Sequence, residues 1–296
     1  MELRQLRYAV AVADTRSFTR AAAQCYVAQS ALSQQVKNLE RELGVALFAR
    51  TSRRVELTPA GHAFLPAARQ CLEAAERAAT DAAAAVGEVR GRLAVGMIPT
   101  VVALDLPAVL QRFREHHPQV RVSLRVGSSD VMAREVAAGG LDVALLGLRE
   151  GVRPRGVELR ELGRQALVAV LPPDHGLAGR KRVWLRDLAG EVFADFPADS
   201  SGRAQSDHAF AAAGLEREVA YEVSSPELML GLVGQGLAVA LLAEEIAARS
   251  RAVRTVPVGD GPVRVEYLAW SGFNPSPATR AFLALLEAPS APDLTG

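Results

Sequence analysis

Gln29, Ser30, Ser33, Gln34, Lys37 and Arg41 crowd into residues 28–44, AQSALSQQVKNLERELG. Amides, hydroxyls and a few cationic chains are the groups that hydrogen-bond base edges and phosphate oxygens. To act together they must face one way. Leu32, Val36, Leu39 and Leu43 recur at steps of four, three and four, so a helix here has an apolar back and a polar front. Residues 18–25 read as a shorter helix with Ser17 as its N-cap, and residues 26–28 join the two. That is the layout of a helix-turn-helix. An ordinary amphipathic helix pair has the same periodicity; the next segment separates the two readings. Residues 47–58, LFARTSRRVELT, hold two strand-like runs around a turn with Arg50, Arg53 and Arg54. A basic hairpin in this position reads as a wing that touches the phosphate backbone.

A second constellation depends on elements further along. Residues 91–296 alternate strands and helices, in the β-α-β rhythm of parallel sheets covered on both faces, and the pattern occurs twice, so two α/β lobes are expected. Ligands of such sheets bind where strand ends meet helix starts. Four of these junctions are polar: Pro99-Thr100, Ser128-Ser129, the run Ser200, Ser201, Gly202 and Arg203, and Ser224-Ser225. Hydroxyls, amides and helix N-termini suit a small anion, with Arg203 as countercharge and Gly147 and Leu148 as a floor. Serine and threonine at these places also serve as plain helix caps; it is the recurrence in both lobes that favours a cleft.

Between the two constellations, Thr58 and Pro59 open a long helix running to about residue 88. Leu65, Leu72, Ala79 and Val86 fall at one heptad position, and Ala68, Ala75, Ala82 and Val89 at the other. Charged Glu73, Arg77, Asp81 and Glu88 stay off this seam, which therefore reads as a dimerisation coiled coil, bent near Pro66. Ahead of everything, Leu3, Leu6, Val10 and Ala13 read as the buried stripe of a first helix, with Tyr8 packing rather than contacting DNA.

Charge and composition point the same way. The net charge is +1, yet residues 1–58 hold nine Arg and Lys against five Asp and Glu, and the remainder 25 against 28. The basic end is the nucleic-acid end. Its excess is modest, so one copy should bind weakly and two together usefully. Cys25 and Cys71 make no disulfide framework and no metal spacing; the first is read as core, the second as packing beside the seam. No apolar run is long enough for a membrane helix, and the amino end lacks a signal peptide, so a cytoplasmic protein is expected. His62, His116, His117, His175 and His208 are scattered, and no nucleophile elbow, phosphate loop or HExxH stands in the chain. No catalytic residue, metal or cofactor is expected.

Residues 17–61 strongly resemble the winged helix-turn-helix of LysR-type transcriptional regulators. The shared points are Ser17-Phe18-Thr19, Ala21-Ala22, residues 29–33 (QSALS), Leu39-Glu40, Leu43-Gly44, Leu47-Phe48, Arg50, Leu57-Thr58 and Ala60-Gly61. Cys25, Tyr26 and Gln34 depart from the Leu, His and Arg common in the family, and the last removes a charge from the reading face. The resemblance extends over the whole chain. It implies an α-rich winged helix-turn-helix domain (residues 1–58), a linker helix (59–90) and a periplasmic-binding-protein-like α/β domain (91–296). In that domain lobe I takes 91–163 and 263–296, and lobe II takes 164–262. It also implies double-stranded promoter DNA as partner, a small effector between the lobes, self-association as a dimer and then a tetramer, and RNA polymerase contact if the protein activates. The same two-lobed plan serves solute receptors and some enzymes; the basic head and the missing catalytic constellation weigh against both.

Overall fold

The computed structural model describes residues 1–50, 55–85 and 87–287. Arg53, Arg54 and Val86, and the side chains of Arg50 and Ala79, lie outside the described residues. The chain divides into two compact units, Met1–Glu88 and Val89–Gly296.

The first unit runs α1 (Leu3–Thr15), α2 (Phe18–Gln24), α3 (Gln29–Leu43), β1 (Phe48–Arg50), β2 (Val55–Leu57) and α4 (Pro59–Ala84). Its core gathers Tyr8, Ala9 and Val12 of α1, Ala21 and Ala22 of α2, and Leu32, Val36 and Leu39 of α3, closed by Leu47 and Phe48. The first helix does not bury the stripe its sequence suggests. Gln5, Leu6, Tyr8, Ala9, Ala11 and Val12 are buried, whereas Leu3 is exposed and Val10 and Ala13 are half-buried. The reason is that α1 packs against α2, α3 and α4 together, so several of its faces are covered, Ala9 and Ala11 among them. Tyr8 is a core residue, as its spacing suggests.

Thr58 caps α4 by accepting the Gly61 amide at 3.0 Å, with Pro59 at the first helical position. The helix continues through Pro66 and ends at Ala84, short of residue 88. Gly87, with φ of 87°, marks the break, and Gly91 already begins the first strand of the second unit. Val89, assigned to the seam by heptad counting, packs instead on the core of the second unit. Cys71 is exposed on the single chain, and Cys25 lies against the head's core.

The second unit runs β3 (Gly91–Met97), α5 (Leu106–His116), β4 (Val120–Val126), α6 (Ser129–Ala137), β5 (Val143–Arg149), β6 (Glu158–Ala166), β7 (Val168–Leu171), α7 (Leu185–Leu188), β8 (Val192–Asp195), α8 (Ser201–Ala212), β9 (Glu218–Glu222), α9 (Pro226–Gly234), β10 (Ala240–Leu242), α10 (Glu244–Ala247), β11 (Arg254–Pro257), β12 (Val263–Trp270) and α11 (Pro277–Glu287). Lobe I is a five-stranded sheet in the order β4-β3-β5-β12-β6. Strand alternation sends Leu93 and Val95 toward Phe113 and Phe282, and Ala94, Ala144 and Leu146 toward Met132 and Val136 of α6. The expected parallel pairing holds for β4, β3 and β5, but β12 runs antiparallel to both its neighbours. Lobe II differs more: β10 and β11 flank β7 antiparallel, and β8 pairs with β9 in parallel. Sequence rhythm alone cannot register this, because apolar strands look alike in either direction.

The chain crosses between lobes where β6 passes into β7 and where β11 leads back to β12. Gly163 lies inside β6, which continues to Ala166, so the crossing falls just beyond it; there the Leu167 amide donates to the Pro262 carbonyl at 2.9 Å. Helix α5 starts at Leu106: the Val102 and Ala103 amides are taken by the Glu266 carboxylate, and Asp105 caps the helix.

Candidate DNA-binding surface and effector cleft

In the head, α3 rests on Leu32, Val36 and Leu39, which are fully buried. The opposite face exposes Gln29, Ser30, Gln34, Lys37 and Arg41, while Ser33 is half-buried. Gln34 Nε2 donates to Asn38 Oδ1 at 3.0 Å, and Arg41 donates to the same oxygen at 3.3 Å, so one amide orders two side chains along this face. The turn that presents α3 places Tyr26 at φ of 55° and leaves its ring 95% exposed. Helix α3 ends at Gly44, with φ of 70° and its amide turned back to the Arg41 carbonyl.

The hairpin is tied to this helix. Glu40 Oε1 accepts the Leu47 amide at 2.9 Å and the Phe48 amide at 3.2 Å. β1 and β2 then pair antiparallel, Phe48 opposite Leu57 and Arg50 opposite Val55. Thr58 closes the far side, its hydroxyl donating to the Ala46 carbonyl at 2.7 Å. A Cβ at Gly61 would stand 2.2 Å from the Leu47 oxygen, so only glycine lets α4 pass the hairpin this closely. Among the expected seam residues, Leu65 and Ala68 are buried within the single chain, Leu72 and Ala75 are half-buried, and Ala82 is exposed.

In the second unit a cavity of about 400 Å³ opens between the lobes. Of the expected residues, Pro99, Thr100, Ser128, Ser129, Gly147, Ser200, Ser201, Gly202 and Ser224 line it. Three do not. Leu148 points into the core behind α6. Ser225 caps α9 and donates to Glu227. Arg203 is engaged by Asp207 at 2.9 Å and Glu222 at 3.1 Å. Burial works against its charge, but the bonds to Asp207 and Glu222 hold the Arg203 guanidinium above its ordinary pKa. It is therefore not the free countercharge that its place beside the serines suggests.

The cation in the lining is Arg264, which the sequence reading passed over. It is buried at the start of β12, donating to the Thr100 hydroxyl at 2.7 Å, the Thr100 carbonyl at 2.9 Å and Glu266 at 2.9 Å. Burial pulls its pKa below the ordinary value, and the adjacent Glu266 carboxylate opposes that pull. Its Nε has no hydrogen-bond partner. Ile98, Val126, Gly127, Phe196, Pro197 and Asp199 complete the lining, an apolar body beside polar ends. The signal for Arg264 was present: two charges, Arg264 and Glu266, interrupt the otherwise apolar run of β12. Ser129 is less available than its type suggests, because its hydroxyl both donates to the Gly147 carbonyl and accepts the Gly147 amide, each at 3.0 Å.

Both units match family models. Residues 3–62 match the bacterial regulatory helix-turn-helix protein, lysR family, and residues 87–289 match the LysR substrate binding domain. This chain belongs to the LysR family. The Hca operon transcriptional activator HcaR of Escherichia coli is 34% identical over 97% of this chain and 97% of its own length. The regulator ShiR of Corynebacterium glutamicum is 37% identical, over 81% of this chain and 82% of its own. Among solved structures, full-length CbnR in complex with its target DNA is 29% identical, covers 97% of this chain and 99% of that one, and superposes with a TM-score of 0.70. The protein is thus a sequence-specific DNA-binding transcriptional regulator with a small-molecule effector-binding domain. Among the described residues no helix is long and apolar enough to cross a membrane, and no group of three His, Cys, Asp or Glu could hold a metal ion.

Proposed function

We propose that this LysR-family regulator reads operator DNA with Gln29, Ser30, Ser33, Gln34 and Lys37 in the major groove, while Arg50, Arg53 and Arg54 of the hairpin hold the phosphate backbone. The observation that carries this reading is the polar face of α3, exposed above Leu32, Val36 and Leu39 in the segment matched by the helix-turn-helix family model. Two substitutions test it. Arg53→Ala is expected to weaken binding to all sequences alike and flatten the salt dependence by about one unit. Gln29→Ala is expected to relax discrimination at one base pair by roughly 1–3 kcal/mol. Titration of both variants against operator and random duplexes at several salt concentrations decides it; the reverse pattern overturns the assignment.

The effector binds in the cleft lined by Thr100, Ser128, Ser201 and Arg264, and it carries an acidic group. Hydroxyls, two helix N-termini and one buried guanidinium on an apolar body support that choice. A thermal-shift screen of small acids, aromatic and aliphatic, against the full-length protein tests it: a saturable rise for an acid and none for its amide is the expected result. Incubation with the same panel shows whether any compound is consumed, which a sensor does not do. The protein works in the cytoplasm as a dimer of dimers, paired through α4, and contacts RNA polymerase where it activates. The domain limits we adopt are residues 1–58, 59–90 and 91–296.

A further inference from the structure

Ser201 opens α8 in lobe II, and its partner comes from the other lobe. Asp130, in the first turn of α6, accepts the Ser201 hydroxyl at 2.7 Å and the Ser201 amide at 3.1 Å through one carboxylate oxygen. A single carboxylate therefore faces the positive ends of two helices, its own α6 and the opposing α8. Ser201 also lines the interlobe cavity, as does Arg264, which is 4% exposed with Nε unpartnered. Gln205 lies one turn further along the same face of α8, is 2% exposed, and has neither amide atom bonded. Beside the apolar packing of Val102 on the core of lobe II, the contact between lobes thus has a polar, incompletely satisfied part, which the Asp130–Ser201 pair bridges by hydrogen bonds. That polar part separates at little cost when water or an incoming anion replaces its hydrogen bonds.

We propose that the Asp130 carboxylate stands in for the acidic group of the effector, latching the lobes until a small monocarboxylate or comparable monoanion displaces it from Ser201. This latch presupposes that the cleft is the effector site. Arg264 already carries Glu266, and Asp199 also lines the cavity, so an anion entering it finds the guanidinium engaged and meets Asp130 at Ser201. An incoming anion at the start of α8 competes with Asp130 for the Ser201 hydroxyl and amide and meets like charge there, which favours expulsion of the Asp130 carboxylate. Expulsion frees α8 from α6, and effector binding becomes a change in the contact between lobes.

Backbone hydrogen exchange in the full-length protein, read by mass spectrometry, tests this without DNA and without knowledge of the natural effector. Asp130→Ala and Ser201→Ala are each expected to speed exchange across the first turn of α8 by at least about tenfold. Ser201→Ala leaves α6 untouched, so it separates loss of the latch from loosening of α6. Formate, small enough to enter the space left by the Asp130 side chain, is expected to restore protection saturably in Asp130→Ala, while formamide and equal chloride do not. Unchanged exchange in both variants overturns the latch. Accelerated exchange that formate does not reverse overturns the anion site. Either failure leaves the DNA-reading assignment standing, because that is judged by the operator titrations.

Discussion

Arg217 shows how much one side chain can carry in lobe II. Its side chain is 3% exposed and donates to Asp195 at 2.6 Å and Asp207 at 2.7 Å, with the guanidinium over the rings of Phe193 and Phe210. Burial pushes the Asp195 carboxyl up from its ordinary value, and Arg217 opposes the push. Removing the arginine strands a buried acid. Arg217→Met is expected to cost about 3–5 kcal/mol in urea unfolding, and adding Asp195→Asn is expected to recover a large part of it. An additive double mutant would show that the two do not act as a pair. Neither residue stands out in the sequence, since charged residues are common near strand and helix ends. Arg264 and Glu266 were more legible, because two charges inside a buried strand demand partners.

At the scale of elements, the reading helix was legible and its anchoring was not. Four apolar residues at helical spacing define α3, but Glu40 falls on neither face that periodicity emphasises. Its acceptance of the Leu47 and Phe48 amides holds the hairpin against α3. Glu40→Ala is expected to lower affinity for every DNA sequence, with a loss of about 1–3 kcal/mol in head stability and no change in operator preference. Altered preference at unchanged affinity for random DNA would assign Glu40 to base reading instead. Strand β6, ELRELGRQA, escaped the sequence reading altogether. It is an edge strand, half-exposed along its length and paired on one side with β12. Backbone hydrogen bonds to β12 hold it, together with two leucines, Leu159 and Leu162, three residues apart, so no apolar alternation announces it.

At the scale of the whole molecule, the seam of α4 divides by burial. Leu65 and Ala68 already pack within one chain, while Ala82 is exposed and Ala75 half-buried. If α4 pairs two chains, Ala82→Arg is expected to yield a folded monomer with much weaker operator binding, because two linked heads bind far better than one. Leu65→Arg is expected instead to unfold the head. Sedimentation of the two variants beside circular dichroism checks this; a dimeric Ala82→Arg protein would move the interface elsewhere.

From its residues alone the chain declared a basic helix-turn-helix head, a capped alanine-rich helix and alternating α/β segments, since each rests on spacing within a few turns or one strand. The tertiary structure decided which polar groups remain available at the cleft. Arg203 is consumed by Asp207 and Glu222, Ser129 by the backbone of Gly147, and Asp130 reaches Ser201 across the lobes. Asp207 is one turn from Arg203 on α8, but Glu222, Gly147 and above all Asp130 reach their partners from other elements. Those longer pairings depend on which elements the fold packs side by side, α8 against β9, α6 against β5 and α6 against α8, and local periodicity holds no record of that.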